Sequence, residues 1–273
     1  MLERQYHGED RPLKKVLPSL FPELPYSEIC AILRRKDVKL CGKRVSDGTL
    51  LVQDGNVILL YPKKKKSVLV VYEDEHILVA NKPKGIPSQG EGSFETIVKS
   101  EFGEGVTLMH RLDTNTDGLL LFAKDPIAEK ELFTAIKHGA VTKGYRAEVY
   151  GHPRVYEDTT LRFFYRKNEA DKRACISDNA KVGYVPIELS FRVIAESEQS
   201  STLYVTLHKG KMHQIRAMLA YYGFFILGDG KYGNDTVNKS LGIKRHLLTA
   251  TDLEFHLPGS SPLAYLNDVT ISI

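Results

Sequence analysis

A mixed α+β fold on a mainly antiparallel sheet, preceded by a smaller α+β domain, is predicted by three observations. Short apolar runs outnumber helical patterns from residue 68 onward. Few of those runs are separated by the helical crossover that parallel strands need. Residues 11–62 have a different pattern, two short amphipathic helices and then small strands.

In the small domain, Pro12 suits the first turn of a helix, where its missing N–H would be unpaired anyway. Leu13, Val16 and Leu17 repeat behind it at helical spacing, and Pro18 and Pro22 punctuate the segment up to residue 24. A second helix starts at Pro25, turns Ile29, Ile32 and Leu33 to one face and ends in Arg34, Arg35 and Lys36. Cations there suit the negative end of the helix dipole. Val38–Leu40, a turn at Gly42 and Val57–Leu60 complete the domain as short strands.

Residues 63–67 read as a basic linker and 68–273 as the second domain. Runs at 68–72 and 77–80 are short strands, the second leading into Asn81-Lys82-Pro83-Lys84-Gly85. A polar loop from His110 runs into a buried strand that ends near Lys124. Asp125 then caps a helix with Pro126 at its first position, Ala128, Leu132 and Ile136 on one face and Gly139 at its end. Further strands fall at 145–149, 187–193, 202–207, 253–255 and 269–273, with a helix at 212–222. No internal repeat is visible.

With 273 residues, 42% of them hydrophobic and 26% charged, the composition is that of a water-exposed globular chain. No apolar stretch is long enough to span a bilayer, and residues 1–10 are too polar for an ordinary secretory signal. Cys30, Cys41 and Cys175 are scattered and form no CxxC pair, which predicts reduced thiols and a cytoplasmic location. The net charge of +4 is small, so an anionic partner must be met by local patches. Two exist: Arg34, Arg35, Lys36, Lys39, Lys43 and Arg44 against the single acid Asp37, and the run Lys63, Lys64, Lys65, Lys66. Both point to a phosphate backbone.

The polar loop concentrates the chemistry. Taken alone, Asp113 in a Thr/Asn/Asp/Gly stretch is a turn former. Arg111 beside it supplies the cation that suits an ionised carboxylate, the form a nucleophile requires. The histidines, among them His110, His208, His213, His246 and His256, never fall at HxxxH or HExxH spacing, and no GxGxxG or GxxxxGK[ST] loop occurs. Neither a metal nor a nucleotide cofactor is expected.

The segment LMHRLDTNTDGLLLFAK resembles the signature of the RluA-type RNA pseudouridine synthases, in which HRLD carries the catalytic aspartate. Three further pieces are similar to that family's elements. They are Asn81-Lys82-Pro83-Lys84-Gly85, Lys143-Gly144-Tyr145, and His213-Gln214-Ile215-Arg216 with Gly223, Ile226, Gly228-Asp229 and Tyr232-Gly233 behind it. Together they cover roughly residues 70–256, and four in order are far more specific than any one. Met212, Phe225 and Ser88-Gln89 depart from the usual Thr, Pro and His-Pro, which bears on substrate choice more than on chemistry. Residues 11–62 resemble the αL RNA-binding motif of a ribosomal small-subunit protein, with departures at Tyr26 and Pro18.

The resemblance implies that Asp113 is the nucleophile in breaking a uridine glycosidic bond, on ribose or on base, so that uracil can turn and rejoin through carbon. It implies Tyr145 packed on the uracil and moving a proton, and Arg216 paired with Asp113. Arg111 would fill the gap left by the flipped uridine. His110 joins it in contacting substrate, with Leu119 and Ile215 as apolar walls. Phosphates would meet Arg34, Arg35, Lys36, Lys39, Lys43 and the four lysines from Lys63 to Lys66. The expectation is a monomeric, cofactor-independent isomerase acting on ribosomal more than on transfer RNA. A catalytically silent ribosome-assembly factor and an N-glycoside hydrolase that frees uracil remain as alternatives.

Overall fold

Leu13, Val16 and Leu17 meet Ile29, Ile32 and Leu33 in the core of the first of two units, Met1–Lys65 and Lys66–Ile273. The computed structural model describes residues 1–61, 68–154 and 158–273, so the expected linker at 63–67 lies outside the described residues. The first unit comprises β1 (Leu2–Gln5), β2 (Arg11–Pro12), α1 (Leu13–Leu20), α2 (Tyr26–Arg34), β3 (Val38–Leu40), β4 (Lys43–Val45), β5 (Leu51–Val52) and β6 (Val57–Leu60). Its main sheet runs β1-β6-β3-β4, and β1 brings residues before 11 into the unit.

Pro18 lies inside α1 and does not end it. Its ring removes one helical N–H, yet the Phe21 N–H still reaches the Leu17 carbonyl at 2.9 Å. Full burial of Leu13, Leu17 and Phe21, at roughly 1.5–3 kcal/mol each, outweighs one missing backbone bond.

The second unit begins with β7 (Leu69–Glu73), β8 (Ile77–Lys82), α3 (Phe94–Phe102), β9 (Thr107–Leu108), β10 (Asp117–Ala123) and α4 (Pro126–His138). It continues with β11 (Val141–Tyr150), β12 (Thr159–Asn168), β13 (Arg173–Ser177), β14 (Val185–Glu196) and β15 (Ser200–Leu207). Helices α5 (Gln214–Tyr222) and α6 (Asp235–Ser240) and strands β16 (Leu248–Phe255) and β17 (Ile271–Ser272) close it. Among the described residues, one sheet runs β13-β12-β14-β15-β11-β16-β10-β8-β7, with β17 beside β16 and β9 beside β10. Every pairing is antiparallel except β10 with β16. There Gly118, at φ +110°, lies against Ala250 so closely that any side chain would overlap its backbone.

Alternation along β10 serves two cores. Leu120 and Phe122 join the core that includes α3, where Phe122 lies against Phe94, while Leu119 and Leu121 join the core that includes α4. Helix α4 starts where the Asp125 carboxylate accepts from the Ile127 and Ala128 N–H groups, and stops at left-handed Gly139. The loop that carries Asp113 thus leads into a strand buried on both faces, which gives it a fixed base.

Candidate active site

Asp113 sits on the loop before β10, and its backbone is pinned from several sides. The Ser88 hydroxyl donates to the Leu112 carbonyl at 2.8 Å and accepts from the Leu112 N–H at 3.0 Å. Beyond the aspartate, Thr116 N–H closes a turn on the Asp113 carbonyl at 3.0 Å, and Gly85 N–H reaches the Thr114 carbonyl at 2.7 Å. The fully buried Lys82 donates to the carbonyls of Pro83 and Ile86 at 3.0 Å and of Thr114 at 3.3 Å, joining two loops through one ammonium. Desolvation brings its pKa down to about 8 against the opposing charges of Asp117 and Asp113. The Thr116 hydroxyl lies 2.8 Å from His246 Nε2.

Arg216 joins this loop to the rest of the domain. The first six residues of α5 are all buried, so its guanidinium extends into the interior. Nη1 donates to Asp113 Oδ2 at 2.6 Å, while Nε and Nη2 grip Asp229 at 2.7 and 2.8 Å. Asp229 is fully buried and also accepts from the Lys231 and Tyr232 N–H groups. Burial opposes charge on both partners, but the paired contacts win. The Arg216 pKa lies above, and that of Asp229 below, the ordinary value. One carboxylate holds the arginine in place, leaving a third N–H contact to aim Asp113.

Asp113 and Arg216 share a cavity of about 1310 Å³, lined also by Tyr145, Lys143, His213 and His246. It exceeds the usual size of a small-molecule pocket. Tyr145 is buried on β11, and desolvation together with the negative charge of Asp113 raises its pKa well above the ordinary phenol value. It is therefore a neutral hydrogen-bond donor near neutral pH, not a base. His213 begins α5 in a left-handed conformation at φ 57°, with Nδ1 3.0 Å from the Tyr232 hydroxyl and Nε2 3.9 Å from Asp113. Burial lowers the pKa of His213, and takes that of His246 down to about 4. Lys143 reaches the Val141 and His208 carbonyls at 3.4 Å, and burial lowers its pKa to about 8.

The expected site residues divide. Asp113, Tyr145, Arg216, Ile215, Arg111 and His110 all line the cavity. Arg111 is exposed there, and the ion pair to Asp113 comes from Arg216. His110 accepts the Leu121 N–H through Nε2 at 3.3 Å, and burial first, then the charge of Lys143, depresses its pKa to about 3. The imidazole is a neutral prop for β10. Leu119 is no cavity wall: it lies in the core under α4, because β10 buries both faces and its polarity pattern does not mark the side of the site.

Ser88, Lys82, Lys143, His213, Asp229 and His246 belong to the site without being expected there from sequence. All but His246 stand inside or beside the family-like motifs, which was the available signal.

In the first unit, Arg34, Lys36 and Lys43 are exposed around the end of α2 and the β3–β4 turn. Lys36 comes just after α2 at φ 58°, a left-handed exit from the helix. Lys39 and Arg44 lie over the Tyr61 ring at 5.7 and 5.9 Å. Arg35 is occupied, paired with Asp37 at 2.8 Å and Glu28 at 3.0 Å. Lys63 to Lys66 lie outside the described residues.

A mixed sheet thus presents an arginine-held aspartate to a cavity of about 1310 Å³. The family described as RNA pseudouridylate synthase matches residues 76–221. Ribosomal large subunit pseudouridine synthase C of Vibrio cholerae is 29% identical over 268 residues, covering 87% of this chain and 82% of the relative. An uncharacterized RNA pseudouridine synthase of Mycoplasma capricolum is 27% identical, covering 97% and 94%. The structure of human RNA pseudouridylate synthase domain containing 1 shares the fold with a TM-score of 0.63 at 21% identity, covering 78% of this chain and 86% of that one. The chain belongs to the RNA pseudouridylate synthase family. It is an isomerase of uridine in RNA.

Proposed function

We propose that the chain converts uridine to pseudouridine in large-subunit ribosomal RNA, with Asp113 as the nucleophile. The relatives named for that RNA support the substrate, and they match across most of the chain. The observation that carries the chemistry is Asp113 held at 2.6 Å by Arg216, which Asp229 fixes from behind, in a cavity shared with Tyr145. Attack by a positioned carboxylate lets the N-glycosidic bond break. The uracil stays enclosed, turns and rejoins through carbon. Product and substrate are isomers, so the step consumes no co-reactant.

Tyr145 gives the uracil a flat neighbour and a hydroxyl that stays protonated, fit to donate and not to abstract. Arg111 occupies the gap when the uridine leaves its helix, a role its exposure at the cavity supports. Arg34, Lys36, Lys39 and Lys43 of the first unit supply backbone contacts that position RNA without reading sequence. In this reading the protein works as a monomer in the cytoplasm.

Unmodified large-subunit ribosomal RNA incubated with wild type should gain pseudouridine, and Asp113→Ala should form none. Equal absence with both proteins would overturn the reading. Uracil released into solution would establish a hydrolase instead.

A further inference from the structure

Of the chain's 11 phenylalanines, only Phe133 is exposed, with 65% of its surface in water. It stands on α4, whose other face buries Ala128, Leu132 and Ala135. An aromatic ring on the wet side of a helix contributes little to a core, yet this one is part of the wall of the cavity that holds Asp113 and Tyr145. Lys130, three residues before, shares that wall, and exposed Lys137 lies four residues after, so the three side chains form one stripe along the helix. Glu129, the carboxylate that α4 adds to the wall, accepts from the Thr107 hydroxyl at 3.3 Å.

A flat apolar face between two cations suits a nucleic-acid strand: the ring takes an unstacked base, and the ammonium groups take the phosphates beside it. A volume of about 1310 Å³ leaves space for more than the target nucleoside. We propose that Phe133 is a stacking platform for an unpaired base flanking the target uridine, with Lys130 and Lys137 contacting the adjoining phosphates. The proposal rests on the reading that the chain acts on RNA and adds where the neighbouring nucleotide lies.

The chain contains no tryptophan, so Phe133→Trp places a single fluorescent ring on the platform. With unmodified large-subunit ribosomal RNA transcript, its emission should be quenched and saturate at the RNA concentrations that saturate filter retention. Phe133→Ala should raise KM and the RNA Kd about tenfold while kcat stays within about twofold. Its thermal unfolding should match wild type, because the ring is outside the core.

Unchanged emission with RNA demonstrably bound, or wild-type KM in Phe133→Ala, would overturn the platform and leave the isomerase reading intact. A blue shift that grows with protein concentration in the absence of RNA would assign the ring to a second copy of the chain, against the proposal. A wild-type chain that neither binds this RNA nor modifies it would remove the reading and the platform together.

Discussion

Arg35 and Arg216 each sit between two carboxylates, and they do different things. Arg35 joins Glu28 and Asp37 with its side chain 29% exposed, within a stretch of one small unit. Arg216 joins Asp113 and Asp229 with 9% of its side chain exposed, and the second of those carboxylates has no exposure at all. Water reaches both partners of the first, but of the second's it reaches only Asp113, whose side chain is 24% exposed to the cavity, and not Asp229. An exposed pair adds little stability and can be rearranged by a passing phosphate. The buried Arg216–Asp229 pair is costly to assemble, so once formed it holds the arginine in one geometry, which a nucleophile's partner needs and a phosphate contact does not.

The sharpest way to break this contrast is Asp229→Asn. The variant leaves Arg216 buried with a lone charged partner, and denaturant unfolding should show a loss of about 3–5 kcal/mol. Pseudouridine formation should fall together with stability. A variant that folds normally with full kcat would mean that Asp229 does not hold the arginine.

Acid provides the next largest effect, through the buried histidines. An unfolded His246 takes up a proton near its ordinary value of 6.5, and the folded one only at about 4. Between those limits the unfolded chain binds more protons, so stability falls as the pH drops through that window. The slope is up to about 1.4 kcal/mol per pH unit for each proton. His110, held at about 3, adds a second proton with the same sign. His246→Gln should reduce the slope measured by denaturant titration from pH 6.5 to 4. An unchanged slope would show that this imidazole is accessible to protons when folded.

The smallest effect belongs to the surface. Arg35→Ala should leave the unfolding midpoint almost unmoved, while Arg34→Glu with Lys36→Glu should flatten the dependence of RNA affinity on log salt by about two phosphate contacts. If Arg35→Ala proved as destabilising as Asp229→Asn, burial would not be what separates the two arginines.

What the sequence disclosed was local. Asp125 and Pro126 mark the start of α4 because cap and helix lie within four residues, and the aspartate's carboxylate does accept the Ile127 and Ala128 N–H groups. The family-like motifs located Asp113, Tyr145 and Arg216, which line one cavity. What stayed hidden depends on partners distant in the chain. Arg111 is the nearest cation to Asp113 along the chain, but Arg216 is the one in contact, 103 residues away. Leu119 falls on the side away from the site because consecutive leucines at 119–121 give no clue to which face a doubly buried strand turns toward it. Strands β12 and β13 escape a sequence reading because charged residues on their exposed faces, among them Arg162, Arg166 and Arg173, break up the apolar run.

The contact between Thr116 and His246 spans 130 residues, and that between Arg216 and Asp113 spans 103. Loop closures of that length come late and slowly when a chain acquires its structure. On refolding from denaturant, helical signal from α4, with its local cap, should return before any turnover. No fragment ending before His246 can hold the complete site, so a nascent chain acquires it only after that residue has been made.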